Sequence, residues 1–418
     1  MQAALFLCKI KAMNAAKEHE FRNKIYWYSF LLSLLVVLIH SVNLAIDNQT
    51  LEAMILTRDH MGTVLPGVTG VAGHLEHFFS NAFGQMAVPG FFLMSGYLFF
   101  RTLHGFRDIG RKWRERVGSL LIPYGAWNVL WYLAYVLCGR QSFSLSGMSE
   151  AAADYSCNPT FWYMYQLILL TLLAPLLYLL LRQALGMLLA LGLLALLILL
   201  NVPLPMVNAD ALLYYGVGAL LAVHGRRFFE GSAGTAGLER RSAVFGGLLL
   251  LLAWLLQLLT PAKLNSYVIL GDSGIARMTK AAYYLSGGPL ARMLGQELRN
   301  IPGVVKILST AGAQALLATS RRLLMALGLW LLLPAGQLPE AQDYMKNSFF
   351  LYAVHYPIAR AQYYMIQYLG IPYEGGGEAV RLALYFLSPV LAVGVSYGLK
   401  TVLQRYVPLE WRILSGGR

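Results

Sequence analysis

Apolar runs of roughly 18 to 25 residues recur along the chain, separated by short segments that hold most of its Lys and Arg residues. A run of that length crosses about 30 Å of hydrocarbon at 1.5 Å per residue. The pattern predicts an all-α polytopic membrane protein, with about ten transmembrane helices in one bundle: 25–46, 84–100, 117–137, 161–182, a fifth reaching 201, 211–224, 244–259, 322–333, 348–369 and 382–403. It divides the chain into an N-terminal tail (1–21), a transmembrane domain (22–406) with larger extramembrane loops at 47–83 and 260–320, and a C-terminal tail (407–418).

Cations orient the spans. Arg22 and Lys24, the cluster after the second span, Arg182, Arg226 with Arg227, and Arg405 with Arg412 all fall on one side, which the positive-inside bias assigns to the cytosol together with both termini. Segment 260–320 departs from this, because it should lie outside yet carries Lys263, Arg277, Lys280, Arg292, Arg299, Lys306 and Arg321. Long loops obey the bias poorly, and an amphipathic interfacial helix over 290–317 resolves the conflict.

Composition agrees. In 418 residues, 57% are hydrophobic and 13% charged, where a soluble globule has about 25% charged residues. The net charge of +13 does not point to nucleic acid, since the cations flank apolar spans and sit in short loops. Of the three cysteines, Cys8 lies in the cytosolic tail. Cys138 and Cys157 bracket an outer loop, where two readings stand: a disulfide worth about 3 kcal/mol by loop closure, or a small apolar residue at a helix end and a separate thiol.

Ionisable groups inside spans are costly and are functional candidates by default. His40 lies about 24 Å from the inner end of the first span. His355 and Arg360 lie in the ninth span, and no Asp or Glu falls within any drawn span, which disfavours an ion-coupled transporter. The imidazole of His40 can take a hydroxyl proton at neutral pH, although a lone histidine at a helix end can also be merely interfacial. His355, between Tyr352 and Tyr356, suits orienting an acyl chain or bonding across helices. No metal site is expected. Between the second and third spans, Arg101, Arg107, Arg111, Lys112, Arg114 and Arg116 form a basic loop suited to phosphates, or one that serves topology alone. Ser95-Gly96 predicts a close approach of two helices, and Pro89, Pro123, Pro175 and Pro357 predict kinks or ends. Asn128, Tyr163, Tyr165 and Gln166 are polar groups for a pocket wall.

Five segments in order carry a family resemblance: VVLIHS, AVPGFFLMSGYLFF, RKWRERVGSLLIPY, FWYMYQLILLTLLAPLL and NSFFLYAVHYPI. Together they resemble the acyltransferase 3 family of bacterial membrane-bound acyltransferases. The resemblance implies ten helices in the cytoplasmic membrane, acyl-coenzyme A (acetyl-coenzyme A foremost) supplied from the cytosol, and acylation of a carbohydrate hydroxyl at the outer face. His40 matches the first-helix histidine, and Arg111, Arg114 and Arg116 match the basic loop. The chain departs from the pattern at Ser29, where many members carry a cation, and segment 266–320 holds no family motif. A polysaccharide or lipid-linked-sugar transporter is the alternative, separated by whether the product depends on acyl-coenzyme A.

Overall fold

A computed structural model describes residues 2–41, 70–155, 157–230, 236–259, 311–373 and 376–417, and every regular element among them is helical. Helix α1 (Gln2–Ser41) absorbs most of the expected N-terminal tail. Helix α2 (Gly70–Phe100) contains a π-helical turn at Phe78–Phe83 and a 3-10 turn at Gly84–Met86. Helix α3 (Phe106–Leu137) has a second π-helical turn at Val117–Leu121. The chain continues through α4 (Leu145–Ala153), α5 (Trp162–Leu172), α6 (Ala174–Leu180), α7 (Ala184–Leu199), α8 (Ala209–His224) and α9 (Arg226–Glu230). It ends with α10 (Ala236–Leu259), α11 (Ala311–Leu332), α12 (Ser348–Tyr368), α13 (Glu378–Tyr406) and α14 (Pro408–Ser415).

Five segments are long and apolar enough to cross a membrane: Ala15–Ser41, Gly70–Phe100, Phe106–Leu137, Gly312–Leu332 and Glu378–Tyr406. A sixth is added if α5 and α6, bent by 56° at their junction, are one span. The count of about ten is not reached on these grounds. Helices α7 and α8 have 16 residues each, about 24 Å, and α12 is diluted by His355, Arg360, Gln362 and several tyrosines. The α5–α6 bend follows from Pro175, which has no N–H for the carbonyl of Thr171. That carbonyl accepts instead from Trp113 Nε1 at 2.9 Å.

Aromatic packing joins α1, α2, α9 and α11. Phe229 stacks on Trp330 with centroids 4.7 Å apart, and Tyr28, Phe21 and Tyr97 close around the pair. At the end of α2, Arg101 forks onto Glu18 at 2.7 and 3.0 Å and donates to Glu230 at 2.6 Å, over the face of Phe21. Tyr97 and Arg226 also donate to Glu230. The expected close approach at Gly96 is present, with the backbone of Tyr215 on α8 pressed against it.

Three expectations change, and one open reading is decided. The residues drawn as the end of a loop, from 70 to 83, are helical, and they bring Glu76 into the interior. There it accepts from Arg381 on α13 at 2.6 and 3.0 Å and from Tyr373 at 2.9 Å, a fully hydrogen-bonded pair that makes burial of both charges affordable. The expected absence of a carboxylate inside the spans therefore fails. The bridge between Cys138 and Cys157 is not formed: Cys138 is exposed at the end of α3, and Cys157 is buried against Tyr132 and Ala151, because α4 folds back along α3. The eighth span begins earlier than expected, which takes Arg321 into it beside Arg322. Residues 42–69 and 260–310, with the amphipathic helix expected over 290–317, lie mostly outside the described residues.

Candidate active site

Helices α1 and α12 pack together through Val37 and Leu351, with Ala392 of α13 against both. One turn further along each helix, this contact brings His40 and His355 together. Their ring centroids are 5.2 Å apart at 45°, and Tyr356 meets His40 edge-on at 5.6 Å. Both histidines are buried, His355 completely and His40 with 8% exposure.

The hydrogen bonding of His355 sets its chemistry. Its Nδ1 lies 2.5 Å from the carbonyl of Tyr352, one helical turn back. A carbonyl only accepts, so the proton sits on Nδ1 and, in the neutral ring, Nε2 holds a lone pair. That Nε2 is buried without a partner among the described residues, and so is Nδ1 of His40. Two imidazoles in contact, each with an uncommitted nitrogen, form a site where a ring nitrogen can take a proton from a third group.

An aromatic wall leads away from the pair. The ring of Tyr352 lies 5.7 Å from His355, stacks on Phe161 at 5.8 Å and meets Tyr163 edge-on at 5.7 Å, while its hydroxyl donates to the carbonyl of Thr160. Of the groups expected in a pocket wall, Tyr163 therefore lies closest in the chain of contacts. Gln166 has a structural task, donating to the Met206 carbonyl at 3.0 Å and accepting from the Asn208 amide at 2.9 Å. Tyr165 packs against Tyr124 and Tyr155, and Asn128 is fully buried.

The basic segment is not a loop. Only 101–105 turns, and Arg107 onward is helical, because Arg, Lys, Trp and Glu at successive positions form helix readily. Arg107, Arg111 and Arg114 share one exposed face at spacings of four and three, while Ile109 is buried on the other. Arg111 pairs with Asp108 at 2.9 Å. Arg114 makes no ion pair among the described residues. Lys112 and Arg116 turn toward α2, over the ring of Phe99. Arg101 leaves the set, since two carboxylates hold it.

Several cations named from the sequence take places in the interior that their positions in the chain did not show. Lys24 is buried over the Trp330 ring at 4.3 Å, and Arg360 lies over Tyr363 at 4.1 Å. Arg322 donates to Gln85 at 3.1 Å, and Arg321 is buried within the same apolar helix. Two adjacent arginines inside an apolar run were a readable signal for that pair. A polar clasp on the His40 turn, from Ser80 and Tyr385, had no such signal.

A family model described as Acyltransferase domain matches residues 30–401. Comparison with curated proteins and with solved structures gives no match.

Proposed function

The chain belongs to this acyltransferase family, and from that premise we propose that it transfers an acyl group, acetyl foremost, from acyl-coenzyme A to a hydroxyl of a cell-surface or exopolysaccharide sugar. The observation that carries the reading is the contact of His40 with His355, each with a ring nitrogen uncommitted. In this reading His40 takes the proton of the incoming hydroxyl as its oxygen attacks the acyl carbonyl, a step worth typically about 10² to 10⁴ in rate. The new C–O bond replaces the C–S bond of the thioester, and the imidazolium returns its proton to the departing thiolate. His355, anchored through Nδ1 to the Tyr352 carbonyl, offers Nε2 to orient the His40 ring.

Arg111, Arg114 and Arg116 hold the phosphates of coenzyme A through charge-assisted, bidentate bonds. The proposed setting is a bacterial cytoplasmic membrane, crossed about ten times with both termini cytosolic, which brings the donor to the basic helix and the sugar to the opposite face. Arg107, Arg111 and Arg114 on one exposed helix face, with Arg116 two residues further on over Phe99, support this arrangement.

The test is transfer of radiolabel from acetyl-coenzyme A into membrane glycans by vesicles containing the protein. His40→Ala should fold and lose about a hundredfold or more, and His355→Ala should lose part of the rate. His224→Ala should lose little, since His224 Nε2 lies 2.8 Å from the Leu181 carbonyl in a separate contact. Normal transfer by folded His40→Ala overturns the mechanism. Sugar movement that needs no acyl-coenzyme A would favour the transporter instead.

A further inference from the structure

The π-helical turn Phe78–Phe83 of α2 lies against the last described turn of α1. Ser80, fully buried, donates its hydroxyl to the carbonyl of Leu38 at 2.8 Å. Its oxygen also lies 2.7 Å from the hydroxyl of Tyr385 on α13, another fully buried residue. A serine hydroxyl has one proton, and the carbonyl can only accept. Ser80 therefore spends its proton on Leu38, and Tyr385 must be the donor in the second bond. The three groups form a directed chain from Tyr385 through Ser80 to Leu38.

Leu38 precedes His40 by two residues in the same helical turn. The residue between them, Ile39, is pressed by Gly84, where an added Cβ would sit 2.9 Å from Cγ1 of Ile39. On a third side Val37 packs against Leu351 and Ala392. The clasp is anchored further by Gln85, whose amide donates to the Ser80 carbonyl at 3.2 Å and accepts from Arg322 at 3.1 Å. Helices α2, α12 and α13 thus converge on one turn of α1, with α11 bracing α2 through Arg322, and that turn carries the proposed base. π-Helical insertions recur at functional sites because they re-aim side chains within an otherwise regular helix. Here the insertion turns Ser80 toward the α1 backbone.

We propose that Ser80, oriented by Tyr385, is a positioning residue that sets the rotation of the His40 imidazole toward His355 and the acceptor hydroxyl. The inference rests on His40 being the base. Misplacing a reacting group by about 1 Å costs on the order of a hundredfold in rate. Loss of the clasp should therefore lower turnover without touching the donor site on α3.

The experiment uses the full chain in detergent. Tyr385→Phe keeps the ring volume and removes only the donor, and Ser80→Ala removes the link itself. Each should lower kcat about ten- to a hundredfold with KM for acetyl-coenzyme A unchanged, and the double variant should be no worse than the poorer single, since both break one chain. A second readout needs no transfer. The thiol introduced by His40→Cys, in a background with Cys8, Cys138 and Cys157 replaced by Ser, should react several-fold faster with a small methanethiosulfonate when Tyr385→Phe is added. Wild-type kcat in folded Tyr385→Phe and Ser80→Ala, or an unchanged labelling rate, overturns the positioning role. Absence of transfer in the wild type, with labelling still accelerated, would instead overturn the base assignment and leave the clasp standing.

Discussion

Gly96 and Gly218 are the tightest points between α2 and α8, and replacing either by alanine gives a graded test of that interface. A Cβ at Gly96 would lie 2.1 Å from the carbonyl oxygen of Tyr215, and one at Gly218 would lie 2.0 Å from that of Leu93. Carbon does not approach backbone atoms closer than about 3 Å, and a carbonyl in a helix cannot swing aside, so the two helices must part by about 1 Å. A gap of that size forfeits about a quarter to a half of each dispersion contact across the interface, where Tyr97, Phe100 and Tyr215 are buried. Overpacking of this kind costs about 1–3 kcal/mol. Against it stands the helix propensity gained from Gly to Ala, about 1 kcal/mol. Gly125 isolates that gain, because nothing lies within 4 Å of its Cβ position, and Gly216 is intermediate, meeting only the flexible ends of Leu191 and Met187 at 2.9 Å. Unfolding titrations in detergent should rank Gly125→Ala at or above wild type and Gly216→Ala near it. Gly96→Ala and Gly218→Ala should fall about 1–3 kcal/mol below Gly125→Ala. Equal stability of Gly96→Ala and Gly125→Ala would refute the close-contact argument.

Three further outcomes are expected. Replacing Arg111, Arg114 and Arg116 by Gln should weaken acetyl-coenzyme A binding and remove its salt dependence, with Arg114→Gln the largest single effect because Asp108 already holds Arg111 and Phe99 holds Arg116; calorimetry showing unchanged affinity in the triple variant would reduce these cations to a topology signal. Burial pushes the Glu230 carboxyl up, but the hydrogen bonds from Arg101 and Tyr97 outweigh it and leave the group below the ordinary value. A depressed folded pKa gives stability that is complete above the unfolded value of about 4.3 and is lost as pH falls through the folded one. Glu230→Gln should therefore lower stability at neutral pH and flatten its acid-side slope, and an unchanged slope between pH 3 and 5 speaks against the clamp. Finally, thiol titration of the denatured, unreduced protein should find all three cysteines reactive, and the native protein should label first at exposed Cys138 rather than buried Cys157; a single reactive thiol would show a bridge after all.

Much of the helical architecture was written in the run lengths. A membrane helix closes its hydrogen bonds within its own segment, so local composition is enough to place it, and each drawn span falls on a helix among the described residues. Gly96 announced a close approach and Pro175 a bend from local chemistry, a missing side chain and a missing N–H, whereas Pro357, for which a kink or end was also expected, stands inside α12. His40 and His355 stood out as rare ionisable groups in apolar runs. Their partnership did not, since 315 positions separate them and no periodicity ties residues so far apart. The tautomer of His355, the clasp of Ser80 on Leu38, and the burial of Glu76 beside Arg381 are likewise products of which helix faces meet. A helix that is apolar all round carries no stripe to say which face turns inward. That choice is made by packing among segments remote in sequence, so the chain alone determined the helices and the candidate chemistry, while only the tertiary structure decided which of those candidates share a site.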